Sequence, residues 1–199
     1  MRSDVTPAVW QLWCFVALAL AMLIAVESDL RERRVPNVLV LLTLCAGTVL
    51  NEIGPVNGGA GLFADFPGAL GAGGAFLGAA TGLAVFLPLY LLRAMGAGDV
   101  KLMAAVGSFV GSAEAVSVAL CILVMGGVLA VVRMLWIRKT RLVLTNVMLA
   151  LDSLVGCTVQ RFDPATQSVD RMPYALAFAG GLTAYGYWRL SGGSALVRY

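Results

Sequence analysis

Apolar residues form long uninterrupted runs along the chain, and the charged residues fall mainly between these runs. A helix needs about 20 apolar residues to cross the hydrocarbon core of a bilayer, with a range of about 17–25. The runs that approach this length are residues 5–26, 35–51, 66–92, 102–113, 115–132 and 172–188. The fourth run is short and must begin near Asp99 or Val100 to cross. The pattern predicts an all-α membrane protein with about six transmembrane helices in a single compact bundle.

Three further features of the pattern refine this prediction. Residues 142–157 carry a helical apolar stripe broken by Asp152, which favours an interfacial helix between the fifth and sixth spans over a seventh span. The first run is longer than the apolar core of a signal peptide, so we expect it to be retained. No repeat or change of composition divides the chain, which predicts one polytopic domain over 1–199 with a core at about 8–188.

The third run contains glycines at every fourth position, Gly74, Gly78 and Gly82. Small residues at this spacing form a flat stripe on a helix, and such a stripe lets a neighbouring backbone approach closely. We therefore expect this span to lie in tight contact with another helix.

Composition excludes most other classes of protein. Hydrophobic residues make up 60% of the chain and charged residues 13%, against about 25% charged in an average soluble domain. The chain has no histidine, which excludes a Ser-His-Asp triad and a histidine-based metal site. Its four cysteines form no CxxC pair, so neither structural zinc nor a disulfide framework is expected. The net charge of +3 is no argument for nucleic-acid binding, because the bases cluster at the predicted membrane borders.

Lysine and arginine also predict the orientation in the membrane. They occur in the loops after the first, third and fifth runs and are absent from the loops after the second and fourth. Basic loops remain on the cytoplasmic side of a bacterial inner membrane, so both termini should lie outside. Arg189 and Arg198, near the carboxyl terminus, do not fit this rule.

Two acidic residues at the borders of the apolar runs are the candidates for chemistry. Asp29 follows the first run and Asp99 precedes the fourth, so both should lie at the cytoplasmic face. An acid at this boundary is costly to keep and is a functional candidate. The structural alternatives are that Asp99 caps a helix beginning at Val100 and that Asp29 pairs with an arginine. Gly96 and Gly98 favour function, because glycine permits backbone conformations closed to other residues and leaves room for a substrate.

These residues lie in motifs that resemble a known family. The sequence GAGD at 96–99, followed by Val-Lys-Leu, resembles the signature of the GxGD aspartic proteases in the type IV prepilin peptidase family. The stretch 29–37 is similar to the first motif of that family, an aspartate, a basic stretch and then Val-Pro-Asn. Met-Pro-Tyr-Ala at 172–175 resembles its last-helix Pro-Tyr segment. The resemblance covers nearly the whole predicted membrane core.

The resemblance implies that Asp29 and Asp99 form a catalytic dyad, with Gly96 and Gly98 in the active-site loop. Two carboxyl groups a few ångströms apart have coupled titrations, so one keeps its proton while the other can activate a water molecule. The sequence does not say which aspartate holds the proton. The auxiliary candidates are Lys101, Pro173 and Tyr174.

The resemblance also implies a substrate. It is a prepilin or pseudopilin whose short basic leader is removed at the cytoplasmic face, with the lipid bilayer as the other partner. Larger bacterial prepilin peptidases carry a cytoplasmic insert with paired CxxC motifs, associated with N-methylation. This chain has no such pair, so it resembles the short form found with Flp-type, or tight-adherence, pili. N-methyltransferase activity, a metal and a cofactor are not expected.

Two other classes of function remain open at the level of sequence. A small glycine-packed bundle could be a non-enzymatic scaffold of a pilus or secretion apparatus. Two membrane-border acids could belong to a small cation-translocating protein, although such a relay should place acids along the middle of the spans.

Overall fold

The structure is a computed structural model that describes residues 6–55, 61–64, 67–92, 95–137, 174–194 and 196. In these ranges the chain forms α1 (Pro7–Glu32), α2 (Asn37–Ile53), α3 (Gly71–Leu91), α4 (Ala97–Val110), α5 (Ser112–Ile137) and α6 (Ala175–Leu190). The helices follow the six predicted runs in order, which confirms an all-α membrane protein. The proposed interfacial helix at 142–157 lies outside the described residues.

The number of full-length spans is smaller than predicted. In the described ranges, α1, α3 and α5 are long and apolar enough to cross a membrane. The helices α2, α4 and α6 have 17, 14 and 16 residues, which is short of a straight crossing. Outward faces nevertheless carry large exposed apolar side chains such as Leu23, Val124 and Trp136. A surface of this kind suits hydrocarbon rather than water.

The shortest of these helices, α4, occupies the centre of the bundle. It packs against α2, α3 and α5, while α1 lies against α2 and α6. Every residue of α4 from 102 to 110 is buried. The helix ends at Val110. The next residue, Gly111, has a φ of 80°, a backbone conformation that favours glycine, and α5 starts directly after it. The fourth element is therefore short because the chain turns sharply at this glycine, and the other helices enclose it.

The predicted close contact of the glycine stripe is found between α3 and α4. A Cβ on Gly78 would lie 2.2 Å from the carbonyl oxygen of Gly107, and one on Gly82 would lie 2.6 Å from that of Met103. A Cβ on Gly107 would in turn lie 2.2 Å from the Gly78 carbonyl oxygen. Gly74 does not join this contact and faces the chain just before α3. Two of the three predicted glycines thus hold α3 against the central helix.

The helices alternate in direction, which gives the bundle two ends. We call the end formed by the carboxyl termini of α1, α3 and α5 the aspartate end, and the other the far end. At the aspartate end α1 continues beyond its apolar run to Glu32, so Asp29 lies in a helix and not after it. An exposed ion pair between Arg31 and Glu27, 2.8 Å long, supports these last turns. The charges end the apolar run without ending the helix.

At the far end the segment before α3 folds into the bundle. The Asn51 side chain is buried and donates to the carbonyl oxygen of Ser108 at 2.9 Å, while its own oxygen accepts from the Leu70 N–H at 3.1 Å. Leu62 and Phe63 are buried, and Gln11 of α1 donates to the Leu62 carbonyl oxygen at 3.0 Å. The apolar residues just before Gly71 therefore pack as a loop, although they read as part of the third run.

The far end also contains a buried ion pair. Arg189 of α6 lies 3.0 Å from a carboxylate oxygen of Glu114 at the start of α5, and both side chains are more than 90% buried. The Tyr185 hydroxyl donates to the other oxygen of the same carboxylate. Arg189 does not follow the predicted rule that basic residues lie in the cytoplasmic loops. The reason is that its side chain is buried and neutralises an internal acid.

Candidate active site

Asp29 is held at the aspartate end by the first residue of the last helix. Its side chain is 8% exposed, and its Oδ2 accepts a hydrogen bond from the Ala175 backbone N–H at 3.0 Å. The carboxyl group is thus anchored inside the bundle, across the junction of α1 and α6.

Asp99 occupies the first turn of α4, two residues after the helix begins at Ala97. Its Oδ2 accepts from the Gly96 backbone N–H at 3.2 Å, so Asp99 helps to close the helix terminus from within the first turn. The alternative in which Asp99 caps a helix beginning at Val100 is wrong, because Gly96 is the capping residue. Asp99 lies outside the three long apolar helices and is partly buried. Burial raises the pKa of Asp99 to about 6, the Gly96 N–H acts against this rise, and the negative charge of Asp29 adds to it.

The structure therefore brings the two predicted aspartates together. They come from different helices, α1 and α4, and they lie at the same end of the bundle. The charge of one carboxyl group acts on the titration of the other. Two carboxyl groups that lie this close can supply acid–base chemistry without histidine.

The glycines before Asp99 contribute space and not an unusual backbone. Gly96 has a φ of −78° and Gly98 lies within α4, so both adopt conformations open to any residue. The expectation of a special backbone is wrong, because the helix starts two residues earlier than the sequence indicated. Gly96 is exposed, and a Cβ there would approach Asp99 Oδ2 to 3.4 Å. Its missing side chain leaves the carboxyl group accessible.

Two of the three auxiliary candidates can be placed. The Lys101 ammonium donates to Oδ1 of Asn37, the first residue of α2, at 3.1 Å, and both groups are exposed. Tyr174 lies just before α6, and burial, followed by the negative charge of Asp99, raises the pKa of its hydroxyl. Tyr174 is thus a neighbour of the second aspartate, whereas Lys101 is held to α2. Pro173 lies outside the described residues.

No group of three or more His, Cys, Asp or Glu side chains that could hold a metal ion occurs in the described ranges. The residues that meet at the aspartate end supply carboxyl, hydroxyl and backbone N–H groups. Such a set suits proton transfer and hydrogen bonding to a peptide.

Sequence reasoning missed two contributors to this site. The Ala175 N–H is a backbone group, so its side chain gave no signal. Gly126 of α5 lies against the Tyr174 ring, since a Cβ there would be 2.8 Å from the tyrosine oxygen. Glycine is common in membrane helices, so a single glycine is not a signal of function. The only sequence feature here is that a second glycine, Gly127, follows Gly126.

Fold and site together define a helical membrane protein with a pair of carboxyl groups at one end of its bundle. The chain belongs to the type IV leader peptidase family, whose model matches residues 16–131, more than half of its length. The matched part includes Asp29 and Asp99 and ends before α6. No curated protein and no solved structure matches the chain. Family membership indicates a membrane peptidase with a function like that of the type IV leader peptidases.

Proposed function

We propose that this protein is a membrane aspartic endopeptidase that removes the leader peptide from type IV-like, Flp-type prepilins. The observation that carries the proposal is the pairing of Asp29 and Asp99 at one end of the bundle, with Asp99 titrating under the charge of Asp29. Both residues fall within the part of the chain that matches the family. The missing CxxC pairs support the short form of the enzyme, without N-methyltransferase activity.

In the proposed mechanism the two aspartates share one proton. Asp99 holds it, because its raised pKa keeps it protonated until about pH 6. Asp29, oriented by the Ala175 N–H, acts as the base: it takes a proton from a water molecule, and that water attacks the scissile carbonyl carbon. Asp99 donates its proton to the carbonyl oxygen. Collapse of the tetrahedral intermediate then breaks the C–N bond, and a proton passes to the leaving amine.

The proposed location is the inner membrane, with the aspartate end facing the cytoplasm. The basic residues at the aspartate end support this orientation: Arg31 of α1 and Lys101 of α4 are both exposed there. The one described arginine at the far end, Arg189, is buried and paired, so it does not oppose the rule. A leader peptide presented from the cytoplasm would meet the carboxyl groups at the membrane border.

The test uses the full-length enzyme and a Flp-type prepilin, both reconstituted in liposomes. Asp29→Asn and Asp99→Asn should each lower leader removal by at least about 100-fold, because each removes one of the proton-transfer groups. Cleavage is followed by gel mobility and by mass spectrometry of the released leader. The location of the cut identifies the peptide bond directly.

The matched control is Glu27→Gln, which neutralises an exposed acid two residues before Asp29. This variant should cleave at the wild-type rate. If a folded Asp29→Asn or Asp99→Asn variant kept full activity, the dyad mechanism would be wrong. If the wild-type enzyme left the prepilin intact, the proposed substrate would be wrong.

A further inference from the structure

The short segment between α1 and α2 begins beside one aspartate and ends beside the helix that carries the other. We call residues 33–36 the α1–α2 strap. It starts at Arg33, which has a left-handed φ of 54° and whose N–H donates to the backbone carbonyl oxygen of Asp29 at 3.0 Å. It ends at Asn37, the first residue of α2, and α2 packs against α4. The strap therefore connects the last turn around Asp29 to the neighbour of the Asp99 helix.

One end of the strap is bound to α1 directly beside Asp29. The hydroxyl of Ser28, the residue before this aspartate, donates to the carbonyl oxygen of Arg34 at 2.8 Å. This bond folds the strap back onto the helix that it has just left. On its other side, the Asp29 carboxyl group accepts from the Ala175 N–H. The position of Asp29 is thus coupled to the strap as well as to α6.

The other end of the strap is bound to α4 on both sides of Asp99 in the sequence. Val35 lies over Gly98, since a Cβ on that glycine would be 3.8 Å from the Val35 Cβ, an ordinary van der Waals contact. Both residues are half-buried. The Lys101 ammonium donates to Oδ1 of Asn37 at 3.1 Å. The strap and the start of α2 therefore contact the residue before Asp99 and the residue two positions after it.

The bond between Asn37 and Lys101 fixes the start of α4 at a second level. Farther towards the far end, α2 and α4 already meet at Ser108, whose Oγ occupies the space that a Cβ on Gly47 would need. The Asn51 side chain donates to the carbonyl oxygen of Ser108 there, at 2.9 Å. Lys101 lies about 10 Å along the helix from Ser108. The bond at the aspartate end therefore prevents the first turns of α4 from pivoting about the far-end contact.

Such a bond affects geometry more than stability. Asn37 and Lys101 are both exposed, so their hydrogen bond competes with water and adds little to the free energy of unfolding. Catalysis is more sensitive to position, because a displacement of about 1 Å in a reacting group can slow a reaction by about 100-fold. A small movement of Asp99 relative to Asp29 would thus lower the rate without unfolding the bundle.

We propose that Ser28, Asn37 and Lys101 are positioning residues that hold the α1–α2 strap between the two aspartates and so set the geometry of the pair. The inference rests on the proposed peptidase function and deepens it. Ser28 binds the strap to the helix of Asp29, and the bond between Asn37 and Lys101 binds it to the helix of Asp99. Lys101 acts through its hydrogen bond to Asn37 and not through its charge on Asp99.

The experiment measures kcat and KM of prepilin cleavage in liposomes for Lys101→Met, Asn37→Leu and the double variant. Each single variant should lower kcat about tenfold and keep KM within about twofold, because the carboxyl groups shift while the substrate contacts stay. The double variant should match either single variant, since all three remove the same bond. Asn37→Leu removes no charge, so equal losses separate positioning from an electrostatic effect of the lysine. The denaturant midpoint should stay near that of the wild type.

Two further variants test the strap itself. Ser28→Ala releases it at the α1 end and should lower kcat in the same way, again with little change in KM. Asn37→Asp keeps an acceptor oxygen for the Lys101 ammonium and should keep the wild-type kcat. The matched control is Arg31→Met, which also removes a base from the aspartate end, but one that pairs with Glu27 on its own helix. This control should keep both kcat and KM.

The inference is wrong if Asn37→Leu or Ser28→Ala keeps the wild-type kcat, or if the Asn37 and Lys101 effects multiply in full. It is equally wrong if KM rises while kcat stays constant, because that result would indicate a contact with substrate. A variant that fails to fold is recognised by its denaturant midpoint, and the remaining variants then decide. These results would leave the peptidase function intact provided that the wild type cleaves and Asp99→Asn does not.

Discussion

The Asp99 carboxyl group at the aspartate end keeps its proton to a higher pH than an ordinary aspartate. Asp99 is partly buried and faces a second acid, which raises its pKa to about 6. A raised pKa means that the protonated form persists to higher pH, and that form is the one a proton donor requires. The site can therefore work as a donor–acceptor pair only while Asp99 remains protonated.

This titration predicts the pH dependence of the enzyme. Below about pH 6 Asp99 keeps its proton, and above that pH it loses the proton that it must donate, so kcat/KM should fall towards tenfold per pH unit. Initial cleavage rates measured over a range of buffers, with enzyme integrity checked at each pH, give the profile. Glu27→Gln should show the same midpoint. A rate that stayed flat from about pH 6 to pH 8 would contradict the assignment of the proton to Asp99.

At the scale of elements, the active site depends on the contact between α3 and α4. This contact is made by backbones, since Gly78 and Gly107 leave no space for a Cβ on either side. Close approach of this kind is how helices in lipid gain packing energy. It fixes the central helix, and with it the position of Asp99 at the start of that helix.

Substitution in this contact should therefore destabilise the protein and move the site. Gly107→Ala would place a methyl group 2.2 Å from the Gly78 carbonyl oxygen, which cannot rotate away. We expect a loss of about 1–3 kcal/mol or more in the free energy of unfolding, measured by denaturant titration in mixed micelles, and reduced cleavage. Gly73→Ala on α3 meets no atom within 4 Å and should leave stability unchanged or slightly higher. Equal stability of the two variants would contradict the proposed close contact.

At the scale of the whole molecule, the charged groups of the described helices lie at the two ends of the bundle. The aspartate end holds the paired acids and accessible charges, whereas the far end holds a neutralised cluster of Glu114, Tyr185 and Arg189. Phe63, from the segment before α3, packs edge-on against Tyr185 with ring centroids 5.4 Å apart. The far end is thus closed by packing, and the candidate chemistry lies at the other end.

Breaking the far-end ion pair should be costly. Arg189→Leu would leave the Glu114 carboxyl group buried without its cation, and we expect a loss of about 3–5 kcal/mol in the free energy of unfolding. The double variant Glu114→Gln with Arg189→Leu should recover part of that loss. Arg31→Ala breaks the exposed pair with Glu27 and should cost about 1 kcal/mol or less, measured in the same assay. A small effect of Arg189→Leu would show that the pair does not stabilise the bundle.

The sequence was sufficient to locate the helices and both aspartates, because apolar runs and charged borders are local signals. It was insufficient to show that α4 is enclosed. In a membrane protein, positions that face lipid and positions that face the core are both apolar, so periodicity does not distinguish them. The partners of Asp29 and Tyr174 were equally hidden, since one is a backbone N–H and the other is the absence of a side chain at Gly126.

The buried arginine of α6 bears on how the chain enters the membrane during synthesis. A lone arginine in hydrocarbon is expensive, and α6 has only 16 residues to offset that cost. Glu114 belongs to α5, which is synthesised before α6, so the counter-ion of Arg189 is made first. The neighbouring helix therefore supplies the charge that α6 needs for its buried arginine.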